Sequence, residues 1–212
     1  FMGRVKEHNR KISNDRVKKE RKQKNKILIA VEGNNKTEKL YFSNFEDRSK
    51  PYNITFAKGN NTDPLNLVKM LIKEIKKLNL DLADGDVAYC IFDTDIDSNK
   101  NKVIEDAVNL ANEHNIKIIT STPCIELWFL LHYVYTTASM SNDDVIKKLK
   151  EHYPNYAKNS NIYPDILSNM NSAIISAKKL EKHQIQGNRK IGTVEANPNT
   201  EIYKIVEYLL QN

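Results

Sequence analysis

The chain reads as an α/β protein: a parallel four-stranded sheet flanked by helices, followed by a C-terminal helical extension. Three observations predict this. The short apolar runs Lys26–Val31 (KILIAV) and Val87–Phe92 (VAYCIF) have the length and continuity of strands buried on both faces, and each ends abruptly in acid. Segments with helical apolar periodicity and helix-start signals alternate with such runs as far as Thr120, the pattern of right-handed strand–helix–strand crossovers. From Ser121 onward only helical patterns follow.

Lys26–Val31 is the first strand, closed by Glu32 and Gly33. Asn35 is a suitable N-cap for the next helix, with Glu38 in the capping-box position and Leu40, Tyr41, Phe42 and Phe45 after it. Pro51–Ala57 reads as the second strand. Asp63 as N-cap and Pro64 at the first helical position open a second helix, with Val68, Leu71, Ile72, Ile75 and Leu78 as its apolar stripe. Its lysines 69, 73, 76 and 77 face outward. Asp84-Gly85-Asp86 is a turn signal before the third strand, which delivers Asp93, Asp95 and Asp97 at alternate positions. A helix from about Lys102 to His114 and a fourth strand, Ile116–Thr120, complete the alternation. Helices are then expected at Cys124–Val134, Asp143–His152, Ile166–Lys182 and Thr200–Leu210. The organisation expected is a basic arm (1–25), an α/β core (26–121) and a helical extension packed on it (122–212).

The formal net charge of +6 is unevenly placed. Arg4 to Lys26 holds 11 Lys/Arg against Glu7, Asp15 and Glu20, a net of +8, which leaves 22 basic and 24 acidic residues and a net of −2 elsewhere. With only Val5, Ile12 and Val17 as sizeable apolar residues, the arm cannot bury itself. Its Arg16, Lys18, Lys19, Arg21 and Lys22 suit a phosphate backbone as a tether without sequence preference; the alternative is a solvated tail. The stretch lacks the apolar h-region of a signal peptide, and no apolar run reaches membrane-spanning length, so a cytoplasmic protein without a membrane partner is expected. Cys90 and Cys124 lie in apolar contexts and read as buried free thiols of a reducing compartment.

In an open α/β sheet, ligands bind beyond the carboxyl ends of the strands. Three aspartates there repel one another unless a cation, solvent or protonation offsets them, and their oxygen-rich character favours a hard ion, Mg²⁺ or Mn²⁺. The alternative is that one or two cap the helix starting near Asn99. An EF-hand is excluded: Ser98 stands where its glycine belongs, Ile104 where its glutamate belongs, and a strand precedes. No phosphate-binding P-loop follows Gly33. Glu32 has the same strand-end address as Asp93 and reads either as a general base or further ligand, or as an ordinary acid of the turn. Glu126 sits in a run apolar on nearly every side, Pro123–Leu131, where a carboxylate is costly unless paired or metal-bound; a wet first-turn glutamate favoured by the helix dipole is the alternative. Lys36 and Lys158 are placed to meet phosphate, though each is one lysine among many. His114, His132 and His152 form neither a ligand spacing nor a triad, and Trp128 and Phe129 read as core.

Taken together, ILIAVEGNNKTEKLYF (Ile27–Phe42), CIFDTDID (Cys90–Asp97), STPCIELWFLLHY (Ser121–Tyr133) and Asn197-Pro198-Asn199-Thr200 resemble the RloB-like proteins, which look like members of the wider Toprim superfamily found in restriction loci and abortive phage defence. The resemblance runs from Lys26 to the C-terminus and implies a Toprim-like, Rossmann-like fold. It implies Glu32 as general acid/base with Asp93 and Asp95 as Mg²⁺ ligands, a catalytic set extended as a metal site by Asp97 and Glu126. Ser98-Asn99-Lys100 depart from the family's pattern, in which Gly often follows the Asp-x-Asp soon after. The expectation is thus a Mg²⁺-dependent nuclease on DNA or RNA that serves as an effector in anti-phage defence, beside an ATPase partner and with its oligomeric state, a dimer included, left open. The other reading is a catalytically silent nucleic-acid- or partner-binding module with a structural metal. A primase-like activity ranks last, for want of a nucleotide-binding loop.

Overall fold

The computed structural model describes residues 24–33, 36–94 and 101–212. A five-stranded sheet in the order β2-β1-β3-β4-β5 forms the middle layer. Strands β1 (Asn25–Val31), β2 (Tyr52–Phe56), β3 (Val87–Asp93) and β4 (Lys117–Thr122) run parallel, whereas β5 (Asn199–Thr200) pairs antiparallel with the end of β4. The α/β class with its parallel strands is therefore as the sequence predicts, but the sheet has five strands rather than four.

Helices connect the strands on opposite faces. From β1 the chain moves outward through α1 (Lys36–Ser43) to β2, then reverses direction through α2 (Pro64–Lys77) to β3 and α3 (Asn101–Glu113) to β4. Alternation along β1 divides the core accordingly. Ile27, Ile29 and Val31 pack with residues of α1 and of the C-terminal helices, while Leu28 and Ala30 pack with residues of α2 and α3. Burial on both faces is why Ile27–Val31 of β1 and Val87–Phe92 of β3 are apolar. The α2 start is as the sequence predicts, with Asn66 N–H donating to Asp63 Oδ1 at 2.9 Å and Pro64 in the first turn. The Asn35 cap of α1 falls outside the described residues.

The C-terminal half follows as α4 (Glu126–Leu130), α5 (Asn142–His152), α6 (Tyr163–Ile166), a 3-10 turn (Leu167–Asn169), α7 (Met170–Gln186), β5 and α8 (Ile202–Gln211). Three expected helices change: in place of Ile166–Lys182, a 3-10 turn at Leu167–Asn169 precedes α7, which starts at Met170 and runs on to Gln186. Cys124–Val134 contains only the five-residue α4, flanked by turns, although its apolar side chains are buried as expected. The helix expected from Thr200 begins at Ile202, because Asn199 and Thr200 join the sheet; Thr200 Oγ1 and Ser121 Oγ lie 2.9 Å apart, and Glu201 N–H donates to the Thr120 carbonyl at 2.8 Å. No helix among the described residues is long and apolar enough to cross a membrane.

Candidate functional site

The strand order reverses between β1 and β3, and both strands end in acid there. Such a switch point is where an open α/β sheet binds ligands. Val31 pairs with Ile91, so Glu32 and Asp93 follow within two residues of one rung. Both are half-buried. Gly33 turns the chain away from β1 at φ +57°, a left-handed conformation that favours glycine, and donates its N–H to Asn61 O at 2.7 Å. On the neighbouring strand, Asp93 pairs with Ser121, Thr94 N–H donates to Ser121 O at 2.9 Å, and the Thr94 and Thr122 hydroxyls bond at 2.7 Å. Four residues past Thr122, α4 opens on Glu126.

Glu126 is buried, at 4 % exposure, which rules out the wet first-turn carboxylate. Its Oε1 accepts a 2.8 Å hydrogen bond from the buried Tyr156 hydroxyl. Burial, followed by the Glu126 carboxylate, pushes the Tyr156 phenol far above its ordinary range, and Glu38 adds to this. The Cys124 thiol is likewise pushed up, first by burial and then by the Glu126 and Asp93 carboxylates, so at neutral pH it is a protonated thiol and not a thiolate ligand. Asp93 and Glu126 thus both act on Cys124, and Glu126 and Glu38 both act on Tyr156.

Glu38 and Tyr156 were not legible as site residues. Glu38 matches a capping-box position, yet it is 3 % exposed on the buried face of α1 with Thr37, Tyr41 and Phe42. The available signal was its spacing of three and four residues from Tyr41 and Phe42, which puts it on the apolar stripe. Tyr156 lies in the loop between α5 and α6, where no periodicity marks a buried residue.

The same loop brings Lys36 and Lys158 to one rim. Lys36 N–H donates to Asn159 Oδ1 at 3.2 Å, and Asn159 N–H donates to Thr37 Oγ1 at 3.0 Å, so residues 123 and 122 positions apart meet at the start of α1. Both lysines are exposed. Asp95, Asp97 and the arm residues Arg16, Lys18, Lys19, Arg21 and Lys22 lie outside the described residues. Among the described residues, no three His, Cys, Asp or Glu side chains form a metal-binding group. His132 is buried, its Nδ1 donating to Trp128 O at 2.9 Å and its ring edge-on to Trp128, a packing role remote from ligand chemistry. A cleft of about 850 Å³ opens elsewhere, along β4 between α3 and α8, and includes none of the acids at the switch point.

A search of curated proteins found no match, and neither did a search of solved structures. The family model described as RloB-like protein matches residues 27–209, from the third residue of β1 nearly to the end of α8. This chain belongs to the RloB-like protein family.

Proposed function

We propose that the protein is a Mg²⁺- or Mn²⁺-dependent nuclease of Toprim type, hydrolysing phosphodiesters of DNA or RNA as an effector in anti-phage defence. The observation that supports this reading is that Glu32 and Asp93 follow the paired ends of β1 and β3 at the switch point, where Asp93 and the buried Glu126 both act on Cys124, beside a rim bearing Lys36 and Lys158. The donor set fits a hard divalent cation: it is all carboxylate oxygen, and the nearby sulfur, Cys124, is held as a thiol.

Asp93 and Asp95 would hold the ion, with Asp97 and Glu126 extending the set. When bound, such an ion supplies Lewis-acid neutralisation of charge on a phosphate. Glu32, across the switch point, would take a proton from the attacking water and return one to the leaving oxygen. Lys36 and Lys158 pair with flanking phosphates, and Arg16, Lys18, Lys19, Arg21 and Lys22 tether the polyanion electrostatically. An ATPase partner would control release of the activity.

The purified protein, incubated with tRNA, single-stranded and duplex substrates and either ion, is expected to cleave at least one of them, with Asp93→Ala/Asp95→Ala inactive. Equal cleavage by both proteins would sink the nuclease reading. The engagement of Glu126 Oε1 by Tyr156 favours a second reading, a binding module with a structural ion; metal-dependent thermal stabilisation and nucleic-acid binding without turnover would select it.

A further inference from the structure

We infer that the loop between α5 and α6 is a working part of the site, in which Tyr156 is a positioning residue that fixes the Glu126 carboxylate for cation binding. The inference rests on the carboxylate-edge reading above and extends it to residues of the C-terminal helical half.

Three hydrogen bonds carry it. Tyr156 O–H donates to Glu126 Oε1 at 2.8 Å, with both side chains nearly excluded from solvent, at 3 % and 4 % exposure. A hydrogen bond to a carboxylate is shorter and stronger than one between neutral groups, and here little water competes for it. The loop is then fastened at its far end: Asn159 N–H donates to Thr37 Oγ1 at 3.0 Å, and Asn159 Oδ1 accepts from Lys36 N–H at 3.2 Å. Asn159 sits at φ +64°, a conformation asparagine tolerates better than most residues. Thr37 is the neighbour of Glu38, whose carboxylate also acts on the Tyr156 phenol. One loop thus touches Glu126 directly and the residue beside Glu38. Second partners of this kind lock a ligand's rotamer before a cation arrives, and losing one typically costs about 10- to 100-fold in metal affinity. Tyr156 is buried and reaches the site only through Glu126, so it positions and does not itself contact substrate.

The nearby Tyr153 provides an internal control. Its hydroxyl donates to Asp165 Oδ2 at 2.8 Å in the same loop region, but on the exposed side and away from Glu126.

The test is a calorimetric titration of the full chain with Mn²⁺ alone, paired with thermal unfolding of the metal-free protein. Tyr156→Phe is expected to raise the Mn²⁺ dissociation constant about 10-fold, while Tyr153→Phe leaves it unchanged. A lower unfolding midpoint with an unaltered dissociation constant would reduce Tyr156 to a structural role and overturn the inference, as would an equal weakening by Tyr153→Phe. If Tyr156→Phe does not fold, Asn159→Gly keeps the positive φ and removes the Oδ1 bond. A rise of about threefold is expected of it, and no rise overturns the inference. Absence of saturable Mn²⁺ binding by the wild-type chain is a different result: it overturns the metal reading on which the inference stands.

Discussion

The indole N–H of Trp128 donates to the hydroxyl of Tyr41 at 2.8 Å, and that hydroxyl donates in turn to the sulfur of Met170 at 3.8 Å. One oxygen therefore ties α1, α4 and α7 together in the layer that supports Glu38 and Glu126. Trp128 is fully buried and Tyr41 nearly so, with Tyr41 packed edge-on against Phe42, Phe45 and Tyr163. Tyr41→Phe keeps the ring and strands the indole N–H without an acceptor, at a cost of about 1–3 kcal/mol. Urea unfolding of the two proteins measures this directly, and equal stabilities would mean that the bond contributes nothing.

His132 should make the fold acid-sensitive. Burial lowers its imidazole from 6.5 to about 4, against a smaller opposing effect of the backbone carbonyls of Trp128 and Phe129. The unfolded chain therefore takes up a proton between pH 6.5 and 4 that the folded chain resists. The stability contribution is complete above pH 6.5, falls as the pH drops toward 4, and is constant below, a total of about 3 kcal/mol. Unfolding free energies at pH 7.5 and 4.5 should differ less in His132→Phe than in the wild type. An identical pH dependence in the two would show that another group is responsible.

Removing residues 1–23 deletes nine Lys/Arg and only Glu7, Asp15 and Glu20 among acids. If the arm neutralises phosphates, the slope of log K against log salt should flatten by roughly 0.9 per lost contact on duplex DNA and about 0.7 on a single strand. Titrations at several salt concentrations give both slopes. An unchanged slope would assign nucleic-acid binding to the folded body alone.

The elements that were legible are those whose physics is local. Ile27–Val31 of β1 and Val87–Phe92 of β3 are apolar because both faces are covered, and the acids that follow, Glu32 and Asp93, mark the edge where cover ends. The start of α2 was readable because Asp63 and Pro64 act within one turn. What was not legible depends on partners distant in sequence. β5 has two residues, and only their pairing with Ser121 and Thr122 makes them a strand. The run Cys124–Val134 is apolar because it is buried, not because it is one helix, so composition overstated the length of α4. Glu38 and Tyr156 became site residues only when the loop before α6 was seen to return to α1 across about 120 positions.

The acids at the β1/β3 switch point, with Glu126 held by Tyr156, are the divalent-cation site proposed above. Anomalous diffraction from crystals grown with Mn²⁺ tests it most directly. A peak is expected within ligand distance of Asp93 and of at least one of Glu32 and Glu126, absent from crystals of Asp93→Ala. An ion bound only elsewhere, or a peak that survives loss of the Asp93 carboxylate, would contradict it.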